Sequence, residues 1–282
     1  MSELPLPEPA AGSAYLSPPV QRAARLLRRI ADGDAITNMA RTARDLDINR
    51  TTLLRLLHTL QAERLIEPRG ADIPGWRIGR GLIVMAAHAF YSDDLVQIAI
   101  PVLTRLAEAL GLSTHLGQLD GLEVVYLIRR TPNLTFASNI RVGSRLPAHA
   151  STMGRIILAH LAPEQVARMY ATAPMPAVTA HTAVTLAQLR ATLDQDRAAG
   201  LAWSDEFFEA GISSVAAAIL DASGTPVAAL NVSGQVASFE GETRRARIGH
   251  AAAEAAEEIS RHLGWHGPAH RRTQATPLKV VA

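Results

Sequence analysis

Apolar residues recur at helical spacing through the first ninety positions of this chain. After that the pattern switches back and forth between helical and alternating. From about Val20 to Ala31, the residues Val20, Ala23, Ala24, Leu27 and Ile30 form one stripe, and Asp32-Gly33-Asp34 stops it. Asn38 to Leu46 predicts a short helix capped by Thr37 or Asn38. The turn Asp47-Ile48-Asn49 leads into a third helix. Asn49 is placed to cap it, because its side-chain oxygen can accept a free N–H of the first turn. Leu53, Leu56, Leu57 and Leu60 then make an apolar stripe. At about 100° per residue, Thr51, Arg55, His58 and Ala62 fall on the opposite side, flanked by Arg50 and Thr52. Leu65–Pro68 and Trp76–Ile78 predict two short strands around a turn-rich segment. Arg80 to Tyr91 predicts another helix, with Leu82, Ile83, Met85, Ala86 and Ala89 apolar.

A second region begins near Ser92. Asp93-Asp94 cap a long helix to about Leu110, with Leu95, Ile98, Val102, Leu106 and Ala109 inward, and Gly111 ends it. Thr114–Leu119 and Glu123–Arg129 read as strands joined by Asp120-Gly121, a strong hairpin signal. Asn133–Arg141 reads as a further strand. Helices are predicted over Ser151–Leu161, Pro163–Ala171 and Leu186–Ala199. Ser214–Leu220 and Pro226–Val232 are apolar strands, and an alanine-rich helix from about Gly241 to Leu263 closes the region. The whole predicts an α+β chain: a helix-turn-helix with a β-hairpin wing, a linker helix, and a GAF-like α/β domain with a mostly antiparallel sheet. The expected boundaries are a mobile proline-rich arm over 1–19, the winged helix over 20–79, the linker over 80–91, the second domain over 92–266, and a disordered tail over 267–282.

Composition narrows the chemistry. An apolar fraction of 48% in 282 residues is enough for two packed cores. Cysteine is absent, which excludes disulfides and thiolate metal sites and fits a cytoplasmic location. No apolar run is long enough for a membrane span, and the N-terminus has no secretory pattern. The formal charge of +2 says little, but residues 20–69 hold ten arginines against six acids. That local excess suits phosphate contacts with double-stranded DNA. The polar side of the third helix carries no acid before Glu63. Arg50 and Arg55 can therefore meet guanine edges or phosphate, Thr51 and Thr52 phosphate or bases, and His58 lies on the same side. Arg69 and Arg77 on the wing are further candidates for phosphate, with solvated arginines as the alternative.

Further along, Ser151 can cap its helix and leave the N–H groups of Thr152, Met153 and Gly154 at the positive end, an arrangement that favours a carboxylate. Gly154 has no side chain to block a ligand or a neighbouring strand. Asn231 and Ser233 share one face of their strand while Leu230 and Val232 share the other, which suggests a lined cavity that Ser214 could also face.

Two long motifs then point to one family. The first runs Gly143-Ser144-Arg145-Leu146-Pro147-Ala148-His149-Ala150-Ser151-Thr152-Met153-Gly154-Arg155-Ile156-Ile157-Leu158-Ala159. The second runs Gly200-Leu201-Ala202-Trp203-Ser204-Asp205-Glu206-Phe207, then Gly211-Ile212-Ser213-Ser214-Val215-Ala216-Ala217-Ala218-Ile219. With the winged helix in front, residues 20–265 resemble the IclR family of bacterial transcriptional regulators. The resemblance implies a winged-helix reader, a C-terminal effector domain, and dimers or tetramers on palindromic operators, usually controlling genes for organic or aromatic acid metabolism. Matched to the family motif, the effector positions are Thr152, Met153, Ser204, Ser214, Asn231 and Ser233, with Asp205 beside them. Where the family often has paired acids, this chain has Ser204-Asp205, a less negative pairing that favours an anionic effector. Leu116, Tyr126, Leu146 and Met153 could hold a ring.

The expected function is DNA-binding regulation by a small organic acid, aromatic acids included. Two rivals stay open: a second domain that only oligomerises, and a hydrolase using Ser151, His149 and Asp205. The hydrolase lacks a G-x-S-x-G elbow, and no histidine pair has metal-ligand spacing. No catalytic residue, metal or cofactor is expected.

Overall fold

The computed structural model describes residues 16–70, 72–132, 140–180, 182–205 and 211–267. Two compact units divide the chain at Ser92/Asp93. The predicted arm falls largely outside the described residues, as do the tail and most of the predicted strand at 133–141.

The first unit contains α1 (Pro18–Ala31), α2 (Met39–Asp45), α3 (Arg50–Ala62), the hairpin β1 (Ile66–Pro68) and β2 (Trp76–Ile78), and α4 (Arg80–Ser92). Helix α1 starts at Pro18, inside the segment expected to be an arm. Two consecutive prolines occupy its first turn, where their missing N–H groups cost nothing. Its buried residues are Leu26 and Ile30, whereas Val20 is exposed, so the packed stripe is rotated from the expected one. Asn38 caps α2 by accepting from Arg41 N (3.0 Å), and Asn49 caps α3 by accepting from Thr52 N (2.7 Å). Leu53, Leu57 and Leu60 of α3 meet Leu26, Ile30 and Leu46 in one core. Burying each such leucine contributes roughly 1.5–3 kcal/mol. The turn before α3 places Asp47 at φ 51°, a left-handed position that aspartate tolerates better than most residues.

The second unit adds α5 (Asp94–Leu110), β3 (Ser113–Asp120), β4 (Glu123–Arg130), β5 (Arg145–Pro147), α6 (Thr152–His160), α7 (Pro163–Met169), α8 (Leu186–Ala199), β6 (Ala202–Asp205), β7 (Ile212–Leu220), β8 (Pro226–Gln235) and α9 (Glu242–His262). The strands form one six-stranded sheet, ordered β5-β4-β3-β8-β7-β6, with every neighbouring pair antiparallel. Helices α5 and α9 pack together beside β3 and β7, while α6 lies over β7 and β8 and against α8. Strand alternation decides which residues meet which layer.

One irregularity changes that alternation. Leu116 pairs with Ile128, but Gly117 pairs with Tyr126, so β4 carries one extra residue, Leu127, at this bulge. Val124 and Tyr126 therefore join the α6 core, and Ile128 does not. In a regular strand, Tyr126 and Ile128 would share a face, because residues two apart point the same way.

Candidate functional site

The candidate DNA face is built by α3. Arg50, Thr51, Leu54, Arg55 and His58 are exposed on it, and Thr52 is half-buried. The cap at Asn49 and the leucine stripe hold this face outward, so its side chains can enter a groove while Leu53 and Leu57 anchor the helix. Arg29 donates to Asp34 and Asp45 (2.6 and 2.8 Å), joining the end of α1 to α2. The Asp34 carboxyl is held below its usual value by the backbone N–H of Ile36 and by Arg29. On the hairpin, Arg69 is exposed, whereas Arg77 pairs with Glu67 across the strands at 2.8 Å. That pair engages part of the Arg77 charge inside the hairpin.

The second unit holds a cavity of about 40 Å³ at the N-terminus of α6, lined by Tyr126, Ile140, Leu146, Ala150, Ser151, Thr152, Ser204, Ile212, Ser214, Asn231 and Ser233. Ser151 caps α6 by accepting from Gly154 N at 3.1 Å. This leaves the N–H groups of Thr152 and Met153 in the first turn, at the positive end of the helix. Thr152 and Ser214 hydroxyls are 3.3 Å apart, and Asn231 Oδ1 lies 2.8 Å from His115 Nδ1. Hydroxyls and a carboxamide thus face one small space at the start of α6, with Tyr126 and Leu146 as apolar wall.

Six of the nine expected effector residues meet here: Ser151, Thr152, Ser204, Ser214, Asn231 and Ser233. Three lie elsewhere. Asp205 follows Ser204 on β6 and so points to the other face, where it accepts from Ser213 Oγ and pairs with Arg245 through two 3.0 Å bonds. Those bonds, Arg245 first, hold its carboxyl below the usual range. Met153 is fully buried, and its thioether end covers Gly117. Gly154 opens no ligand space: a Cβ there would sit 2.2 Å from the carbonyl oxygen of Ala148, so the glycine admits the preceding loop across the helix. Among the expected apolar neighbours, Leu116 is also off the site, buried opposite Leu230 on the α5/α9 face. The His149 ring lies 6.1 Å from that of Tyr170, and its Nε2 is 3.1 Å from the Pro176 carbonyl. A triad of Ser151, His149 and Asp205 is not assembled, since Asp205 is engaged by Arg245 on the far face. Residue types alone missed His115 and the lining positions Ile140, Ala150 and Ile212. The period-two rule would have offered His115 only once β3 was registered against β8.

Residues 87–261 match the family model described as the bacterial transcriptional regulator IclR C-terminal domain, and residues 19–70 match the IclR helix-turn-helix domain. The chain belongs to the IclR family. It is similar to the transcriptional repressor IclR of Escherichia coli K12, at 28% identity covering 91% of this chain and 95% of that repressor. It is also similar to the regulator BhcR of Paracoccus denitrificans, at 31% identity covering 86% of this chain and 85% of BhcR. Among solved structures, a transcriptional regulator of Rhodococcus sp. RHA1 superposes with TM-score 0.76 at 26% identity, covering 88% of this chain and 98% of its own. An IclR homologue of Microbacterium hydrocarbonoxydans, solved in complex with 4-hydroxybenzoate, superposes with TM-score 0.75 at 25% identity, covering 87% and 98%. This IclR-family chain is therefore a DNA-binding regulator with a C-terminal effector domain, not an enzyme. Among its described residues, no single helix is long and apolar enough to cross a membrane.

Proposed function

We propose that this regulator grips a palindromic operator as a dimer or tetramer in the bacterial cytoplasm, and that a small organic acid seated at the N-terminus of α6 controls the grip. Residues 20–79 are the reading head, 80–91 the lever and 92–266 the sensor. The observation that carries the effector reading is the cavity itself: a capped helix start with two N–H groups left over, beside Asn231 and three serines, favours a carboxylate. Its volume of about 40 Å³ suits a compact acid, and the homologue bound to 4-hydroxybenzoate supports testing a ring. Ile83, Val84 and Met85 of α4 are more than half exposed, a surface suited to self-association. Calorimetry with pyruvate, glyoxylate, benzoate and 4-hydroxybenzoate tests the effector reading. Heat only from neutral or cationic compounds would overturn it, and no response to any metabolite would favour a domain that only oligomerises.

An effector alters operator affinity only through different affinity for two arrangements of the reading heads. On the DNA side, Arg55→Ala is expected to weaken operator binding by about 1–3 kcal/mol if Arg55 reads a base. Arg77→Ala should cost less because Glu67 already engages it. Gel shifts at fixed moderate salt measure both, and unchanged binding of Arg55→Ala removes that residue from the interface.

A further inference from the structure

His115 on β3 stands directly opposite Asn231 on β8, so both side chains leave the sheet on the cavity face. His115 is 1% exposed and meets Tyr126 edge-on, with ring centroids 5.5 Å apart. Its Nδ1 is 2.8 Å from Asn231 Oδ1. With the carboxamide oxygen opposite, Nδ1 carries the proton and donates; the reverse tautomer would place a buried N–H at Nε2, where no described residue accepts it. Burial, assisted by the charge of Arg129 opposite, holds the ring neutral by pushing its pKa down to about 4. Nε2 is then a bare acceptor, and it is buried with no hydrogen-bond partner among the described residues. The same bond fixes Asn231. Its oxygen is committed to His115, so its NH₂ end is the one left to the cavity that Asn231 lines.

We infer that His115 is a positioning residue that makes the effector cavity selective for an oxygen acceptor at Asn231, through the single tautomer it presents to that carboxamide. The inference rests on the effector reading above and adds the device that sets its selectivity. A free carboxamide can rotate and offer either its oxygen or its NH₂ group, so it distinguishes poorly between ligands that accept and ligands that donate. With Nδ1–H opposite, rotation would set one donor against another and leave both unsatisfied. His115 therefore turns an ambivalent side chain into a fixed donor, which adds to the helix N–H groups and suits a carboxylate over a primary amide of the same shape.

The test compares benzoate with benzamide, and pyruvate with pyruvamide, by calorimetry on the full-length protein and on His115→Phe and His115→Gln. Phenylalanine keeps a ring and removes the donor, whereas glutamine is a second carboxamide that can itself turn and so fixes nothing at Asn231. Both variants are expected to lower the acid-to-amide affinity ratio, His115→Phe by about tenfold. A merely structural role would weaken both ligands alike and leave the ratio unchanged, which would overturn the inference while the effector reading stood. Wild-type protein that binds none of the acids would overturn both. If the variants do not fold, nitrogen NMR of wild-type His115 decides: a protonated Nδ1 with bare Nε2 supports the assignment, and the opposite tautomer ends it.

Discussion

Asp196→Ala is expected to destabilise the second unit by about 3–5 kcal/mol. Arg155 of α6 and Asp196 of α8 are 4% and 7% exposed, joined by bonds of 2.9 and 3.1 Å, and Arg155 also donates to the Trp203 carbonyl at 2.7 Å. Burial pushes the Asp196 carboxyl up, and Arg155 offsets part of that shift. The pair is thus no large net source of stability, yet removing Asp196 leaves a buried guanidinium charge without its carboxylate. The double replacement Arg155→Met with Asp196→Leu should therefore cost less than Asp196→Ala alone. Urea denaturation of the single and double variants measures this. A single variant within about 1 kcal/mol of wild type would show that water reaches the site. The function is exposed to the same loss, because Trp203 precedes Ser204: the arginine ties the helix that starts the cavity to the strand that walls it.

Acidification is expected to remove about 3 kcal/mol of stability between pH 6.5 and about 4 through His115 alone. The folded protein holds this imidazole neutral down to about 4, whereas the unfolded chain takes up the proton near 6.5. Within that window the unfolded state binds more protons, so stability is full above 6.5 and declines as pH falls. Below about 4 both states are protonated, and the histidine adds no further slope. Carboxylates with depressed values, such as Asp205 beside Arg245, lose their contribution in more acidic solution. The difference in denaturation free energy between wild type and His115→Gln isolates the histidine. Parallel curves across the window would mean that the ring is already charged or hydrated in the folded state.

Much of this molecule was legible in its sequence because its signals are local. Asn38 and Asn49 cap their helices as side-chain chemistry dictates, the α3 leucines are buried, and Asp120-Gly121 does join β3 to β4. The sequence pattern does not mark the edge strands β5 and β6. At three and four residues they have too little pattern of their own and exist through their partners β4 and β7. The site divides on the same line. Ser151 and the Asn231/Ser233 pair announce themselves through capping and alternation, and the structure puts them on one cavity. Asp205 adjoins Ser204 in sequence but not in space, because neighbours along a strand face opposite ways. His115 carries no local signal, because its partner is remote in sequence and adjacent only across the sheet.

The extra residue in β4 gives that strand a reserve of register. Leu127 has no partner across the ladder, so the strand can lose one residue without disturbing either end of the hairpin. Loss of Leu127 itself would leave Tyr126 opposite Gly117 and Ile128 opposite Leu116, each on its present face. Loss of Val125 would act differently. Tyr126 would move opposite Gln118 and turn away from the cavity, and Leu127 would take its place opposite Gly117. A regulator of this type could thus exchange a phenol for an isobutyl group in a cavity wall by losing a single codon, with no substitution inside the pocket.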